Sequence, residues 1–157
     1  MLMRRYRSIL ALMLALVTTC LVSCGSPAAT TPPPAYTTQQ VEQIQRTVSS
    51  LWEVREKMPV LKTRINNRDW VNVATYIHGP LGSLRQTMSY LTRQLLPQEQ
   101  KAASEAANDL FEHLQKIDTA SQSRNYELAI KNYQEALIDF DRFLKLIPDA
   151  SNAAGVA

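Results

Sequence analysis

From residue 37 onward the apolar residues recur at alternating steps of three and four, and little else in the chain constrains the fold as tightly. The first run is Val41, Ile44, Val48, Leu51 and Met58, with Arg55 standing on the same stripe. The second is Trp70, Ala74, Ile77, Leu81, Leu84, Met88, Leu91 and Leu95. The third is Ala103, Ala107, Leu110, Leu114 and Ile117, and the fourth is Tyr126, Ile130, Tyr133, Leu137, Phe140, Leu144 and Ile147. Steps of three and four place each set on one stripe of an α-helix. No segment alternates with period two long enough for a strand, so the expected class is all-α.

Local punctuation supports four helices. Thr37 followed by Gln40 is a capping-box pattern. Asn66-Asn67-Arg68-Asp69 separates the first two runs, and Pro97 suits the first turn of the third helix. Ser121-Gln122-Ser123-Arg124-Asn125 separates the last two, and Pro148 closes the pattern. Connections this short make neighbours antiparallel, which predicts an up-down-up-down four-helix bundle over residues 37–148. Such a length holds one hydrophobic core.

Two positions break the pattern. Arg55 calls for solvent or a cross-helix partner rather than isolated burial. His78-Gly79-Pro80-Leu81-Gly82 falls inside the second run, where Pro80 removes a hydrogen bond to residue 76 and predicts a kink. Gly79 and Gly82 would admit a close neighbour inside the bundle. Alternatively, His78, Gly79, Pro80 and Gly82 would form a docking surface on its outside.

The region before the bundle reads as an export and anchoring device. Arg4, Arg5 and Arg7 precede an apolar stretch at 9–22, shorter than the ~20 residues of a comfortable membrane span. Leu21-Val22-Ser23-Cys24 resembles the lipobox of bacterial lipoproteins. Residues 1–23 are therefore expected to be a removed signal peptide. Cys24 would become the new N-terminus, carrying diacylglycerol and an N-acyl lipid. Tyr6-Arg7-Ser8 is a poor continuation for twin-arginine export, so the ordinary route is expected. Cys20 falls in the removed part, which leaves one cysteine and no intramolecular disulfide. Residues 24–36, with Pro27, Pro32, Pro33 and Pro34, read as a flexible linker, and residues 149–157 as a disordered tail.

Cleavage changes the charge argument. Three of the 17 basic residues lie in the signal and none of the 14 acidic ones does, so the mature chain is neutral. A nucleic-acid partner, which would rest on a basic excess, loses its support. Arg64, Arg68, Arg85 and Arg93 read as solvated by default, though against an acidic partner they would steer docking.

Catalytic patterns are scarce. The chain has no phosphate loop, dinucleotide fingerprint, HExxH or CxxC, and the Glu-x-x-His of di-iron bundles does not occur. Asp109 and His113, four apart on the third helix, are the candidates for a shared divalent ion; the plainer reading is a surface carboxylate beside an imidazole. Trp52 and Trp70 read as core or core-edge residues. An enzyme is not expected. The last helix, with Tyr126, Ala129, Tyr133, Ala136 and Pro148, also resembles half of a tetratricopeptide unit, which would make the chain a peptide-binding lipoprotein. The 34-residue period does not recur upstream.

Three stretches carry a further resemblance: Trp70 with VATYIHGPLGSLRQTMSYLTRQLLP at 73–97, AANDLFEHLQKIDTAS at 106–121 and YELAIKNYQEALIDFDRFLKLIP at 126–148. Together with the lipobox and its proline-rich linker, they resemble the PsbQ family in its lipidated cyanobacterial form. The resemblance implies a non-catalytic extrinsic subunit on the lumenal side of the thylakoid membrane, anchored through Cys24. Its implied partners are the lumenal domains of photosystem II and other extrinsic subunits. It would stabilise the oxygen-evolving complex and help retain calcium and chloride there. A membrane-anchored assembly factor is the alternative.

Overall fold

The computed structural model describes residues 35–149. The expected signal peptide, Cys24, most of the linker and nearly all of the tail lie outside the described residues. Five helices follow in order: α1 (Thr38–Asn66), α2 (Trp70–His78), α3 (Leu84–Thr92), α4 (Pro97–Gln122) and α5 (Tyr126–Lys145). No strand occurs among the described residues. Helices α2 and α3 run in succession as one interrupted arm, so the five helices build the four arms of a bundle. The arms close in a ring, α1 beside α2–α3, then α4, then α5, which returns to α1. A tetratricopeptide unit instead stacks helix pairs in an open superhelix.

Cross-arm contacts fix the directions. Gln45 near the start of α1 donates to the Pro148 carbonyl, Arg55 meets Asp141, and Asn66 at the end of α1 accepts from the Tyr126 hydroxyl. These pairs descend α1 as they climb α5, so the two are antiparallel. Gln43 with Tyr90, and Lys57 with Tyr76, show the same relation between α1 and the broken arm.

The caps form as their local chemistry requires. Thr37 and Gln40 make the reciprocal capping box, Pro97 opens α4, and the Asn125 side chain accepts from the Leu128 N–H at the start of α5. Tyr36, at the end of the expected linker, is half-buried against the core. Its hydroxyl donates to the Glu99 carboxylate and accepts from the Leu96 N–H at 3.0 Å. Burial, and then the hydrogen bond to Glu99, push the Tyr36 phenol well above its usual range. The chain therefore enters the bundle at a fixed point, at the end that holds the α3–α4 connection.

Ile44, Leu51, Met58, Leu61, Met88, Leu91, Leu110, Ile117, Phe140 and Phe143 are fully buried. Each such side chain contributes roughly 1.5–3 kcal/mol by leaving water. The expected stripes hold along α1, α3 and α4. On α2 they do not: Val73 and Tyr76 are the buried residues, while Trp70, Ala74 and Ile77 are half-buried. The interruption after His78 lets α2 rotate independently of α3, so one stripe does not run through both. Trp52 also departs from expectation, standing 50% exposed on the outside of α1.

That interruption replaces the expected kink. The Gly79 N–H still reaches the Thr75 carbonyl at 2.9 Å, but Pro80 has no N–H to offer Tyr76. The Leu81 N–H takes that carbonyl instead, at 3.3 Å, and the chain turns through Gly82 before α3 begins. Leu81 remains buried, so the core is continuous across the gap.

Candidate functional site

The four residues read as a docking surface do stand outside. His78, Gly79, Pro80 and Gly82 are all exposed. The glycines do not make room for a neighbouring helix, as expected, but for the backbone of their own arm. A Cβ on Gly82 would lie 2.7 Å from the His78 carbonyl oxygen, and one on Gly79 would lie 2.9 Å from that of Thr75. His78 Nε2 sits 3.2 Å from the Asp118 carboxylate of α4 and ties the break to that helix.

A groove runs from this break along the seam between the broken arm and α4. It consists of two pockets of about 400 and 350 Å³. Arg85 and Phe111 line both, and the Arg85 guanidinium lies over the Phe111 ring at 4.0 Å from its centroid. An arginine held against an aromatic face is oriented while its edge stays free to donate. Arg93, two turns on, donates to Ser89 Oγ at 2.8 Å and remains exposed. Arg64 and Arg68, read as solvated, stack over Tyr76 and Tyr126; Arg64 is half-buried there, while Arg68 stays exposed.

Asp109 and His113 are drawn to different partners. Asp109 binds Arg142, which also lies 3.3 Å from Asp139. His113 places Nδ1 2.9 Å from Asn132 Oδ1, and Nε2 3.6 Å from Asp139 Oδ2. Burial pushes the Asp139 carboxyl above the usual carboxylate range, against the opposing pull of Arg142 and His113. This cluster ties α4 to α5. Among the described residues no three His, Cys, Asp or Glu side chains gather in a way that could hold a metal ion. No described helix is long and apolar enough to cross a membrane.

The sequence reading missed the Arg85–Phe111 pair because its members are 26 positions apart in the chain. A usable signal was nonetheless present. No Asp or Glu occurs between Asp69 and Glu99, so the whole broken arm is free of acid.

Comparison with known proteins covers nearly all of the chain. The family model described as PsbQ, oxygen evolving enhancer protein 3, matches residues 3–148. CyanoQ of Synechocystis sp. is 45% identical over 150 residues, covering 95% of this chain and 100% of that protein. The match takes in the broken arm, the groove and all four arms of the bundle, and the chain belongs to the PsbQ family.

Proposed function

We propose that this chain is an extrinsic subunit of photosystem II on the lumenal face of the thylakoid membrane. Its role there is structural: it covers lumenal protein surface, stabilises the oxygen-evolving complex and slows the escape of calcium and chloride. The observation that carries this reading is the family match over residues 3–148, joined to 45% identity along the full length of CyanoQ. The fold agrees with a structural role. The polar side chains at the α4–α5 seam are engaged in holding helices together rather than converging on an open cleft.

Cys24 supplies the anchor in this proposal, bearing diacylglycerol and an N-acyl chain. Two or more acyl chains hold a protein durably, where one binds only marginally. The eleven residues from Cys24 to Pro34 reach at most roughly 35 Å if extended as polyproline helix. They lead to Tyr36, which the Glu99 and Leu96 contacts pin to one end of the bundle. Confinement near the membrane raises the effective concentration of the bundle at a membrane-embedded partner.

Purification of photosystem II through a tag on another subunit tests the proposal. Near-stoichiometric recovery with oxygen-evolving complexes supports a permanent subunit. Recovery only with inactive, immature complexes makes the chain an assembly factor, and absence from both overturns the proposal. The ion-retention clause fails separately if deleting the protein leaves oxygen evolution unchanged in calcium- and chloride-depleted medium.

A further inference from the structure

The broken arm differs in charge from the other three. On those arms acids stand among the cations, and five of the ten helical cations meet one: Arg46 with Glu42, Arg55 with Asp141, Lys101 with Glu105, Lys116 with Glu112, Arg142 with Asp109. Arg85 and Arg93 make no ion pair among the described residues. The α4 wall opposite them is Ser104, Ala107, Asn108, Phe111, Leu114 and Gln115, without charge, until Asp118 closes the groove against His78. The groove thus presents two oriented guanidinium groups, hydrogen-bonding side chains and no competing carboxylate along most of its length.

We propose that this groove receives an acidic, extended segment of a neighbouring protein, two of whose carboxylates engage Arg85 and Arg93. Eight residues of α-helix separate the two arginines by about 12 Å along the axis. An extended chain covers that distance in about four residues, and side chains four apart share one face, so the complementary segment carries two acids four positions apart. Arg85 is already held by Phe111, so little freedom is lost when a carboxylate binds its edge. Ser104, Asn108 and Gln115 can meet the backbone of such a segment. An anionic membrane surface fits less well. Lipid recognition uses clusters of about four to eight cations on an accessible face, whereas here two cations line a groove.

The inference rests on the photosystem II reading for its choice of complex, and the assay separates the two. Full-length mature chain is titrated onto photosystem II complexes purified from cells lacking it. The wild type is compared with Arg85→Glu/Arg93→Glu, with Arg93→Glu alone, with Arg85→Lys/Arg93→Lys, and with Lys62→Glu/Lys131→Glu on the α1 and α5 faces. The groove reversal is expected to weaken binding at least about tenfold, and the control reversal less than about twofold. The lysine pair keeps the charge but loses the stacked, oriented guanidinium, so it should bind more weakly than the wild type and more tightly than the reversal. Arg93 packs on no ring, so its single reversal reports on docking even if changing Arg85 disturbs the fold. Saturable wild-type binding with no loss in the reversal variants overturns the groove and leaves the subunit reading intact. Failure of the wild type to bind overturns both. Unchanged photosystem II binding, with loss of binding to phosphatidylglycerol–phosphatidylcholine vesicles, assigns the arginines to a membrane and also overturns the proposal.

Discussion

Arg55 and Asp141 form a two-pronged ion pair between α1 and α5, with Nε to Oδ1 at 2.7 Å and Nη2 to Oδ2 at 2.9 Å. The arginine sits on the apolar stripe of α1, and this pairing allows it to remain charged there. The hydrogen bond from Arg55 holds the Asp141 carboxyl below the usual carboxylate range. A lowered carboxylate value stabilises the fold fully above the unfolded value of about 3.9, and that contribution is lost as pH falls through the folded value. Arg55→Ala should lower stability by about 1 kcal/mol at neutral pH, since both partners are partly solvated. The deficit should shrink as pH falls below the unfolded value of about 3.9, which urea denaturation across pH would show.

Asp139 predicts the opposite sign. Its folded value is raised by burial, so ionising it opposes folding and stability falls as pH rises through that value. Its Oδ2 has no hydrogen-bond partner among the described residues. Asp139→Asn should therefore match or exceed the wild type by up to about 1 kcal/mol at pH 7, with the advantage vanishing toward about pH 4. A clear drop in melting temperature at pH 7 would mean that the Arg142 and His113 contacts outweigh desolvation.

Gly82 is held by close approach rather than by backbone conformation. A methyl group there meets the His78 carbonyl at 2.7 Å, so Gly82→Ala must displace backbone. A loss of about 1–3 kcal/mol is expected. Pro80→Ala should change stability far less, because Leu81 already satisfies the Tyr76 carbonyl. Equal effects for the two variants in chemical denaturation would contradict this account of the break.

Arg68 and Arg124 both adopt φ of 53°, in the left-handed region that favours glycine. Arg124→Gly should raise stability by about 0.5–1 kcal/mol. Arg68→Gly should gain less, because Arg68 also stacks 5.7 Å from the centroid of the Tyr126 ring. The difference between their melting temperatures isolates that stacking.

Cys24→Ser should leave the helical circular dichroism unchanged, since the core is built from residues of the bundle. The same variant should move from the membrane pellet to the soluble fraction. Loss of helicity would overturn the anchor-and-linker proposal.

Spacing alone determined that residues 37–148 form antiparallel helices, because burial period and capping are set by neighbours within about four positions. Thr37 with Gln40 and Pro97 were legible for that reason. The rotation of each helix about its axis depends on packing against all the others. Only the tertiary structure could therefore bury Val73 and Tyr76 in place of Trp70 and Ile77, or turn Trp52 outward. A proline inside an apolar run signalled a disturbance. Whether it kinked or broke the helix turned on Leu81 capturing the Tyr76 carbonyl. Arg55 called for solvent or a cross-helix partner, but Asp141 lies 86 positions away and Phe111 lies 26 from Arg85. Such pairs come together only when the arms close on one another, and with them comes the groove beside the broken arm.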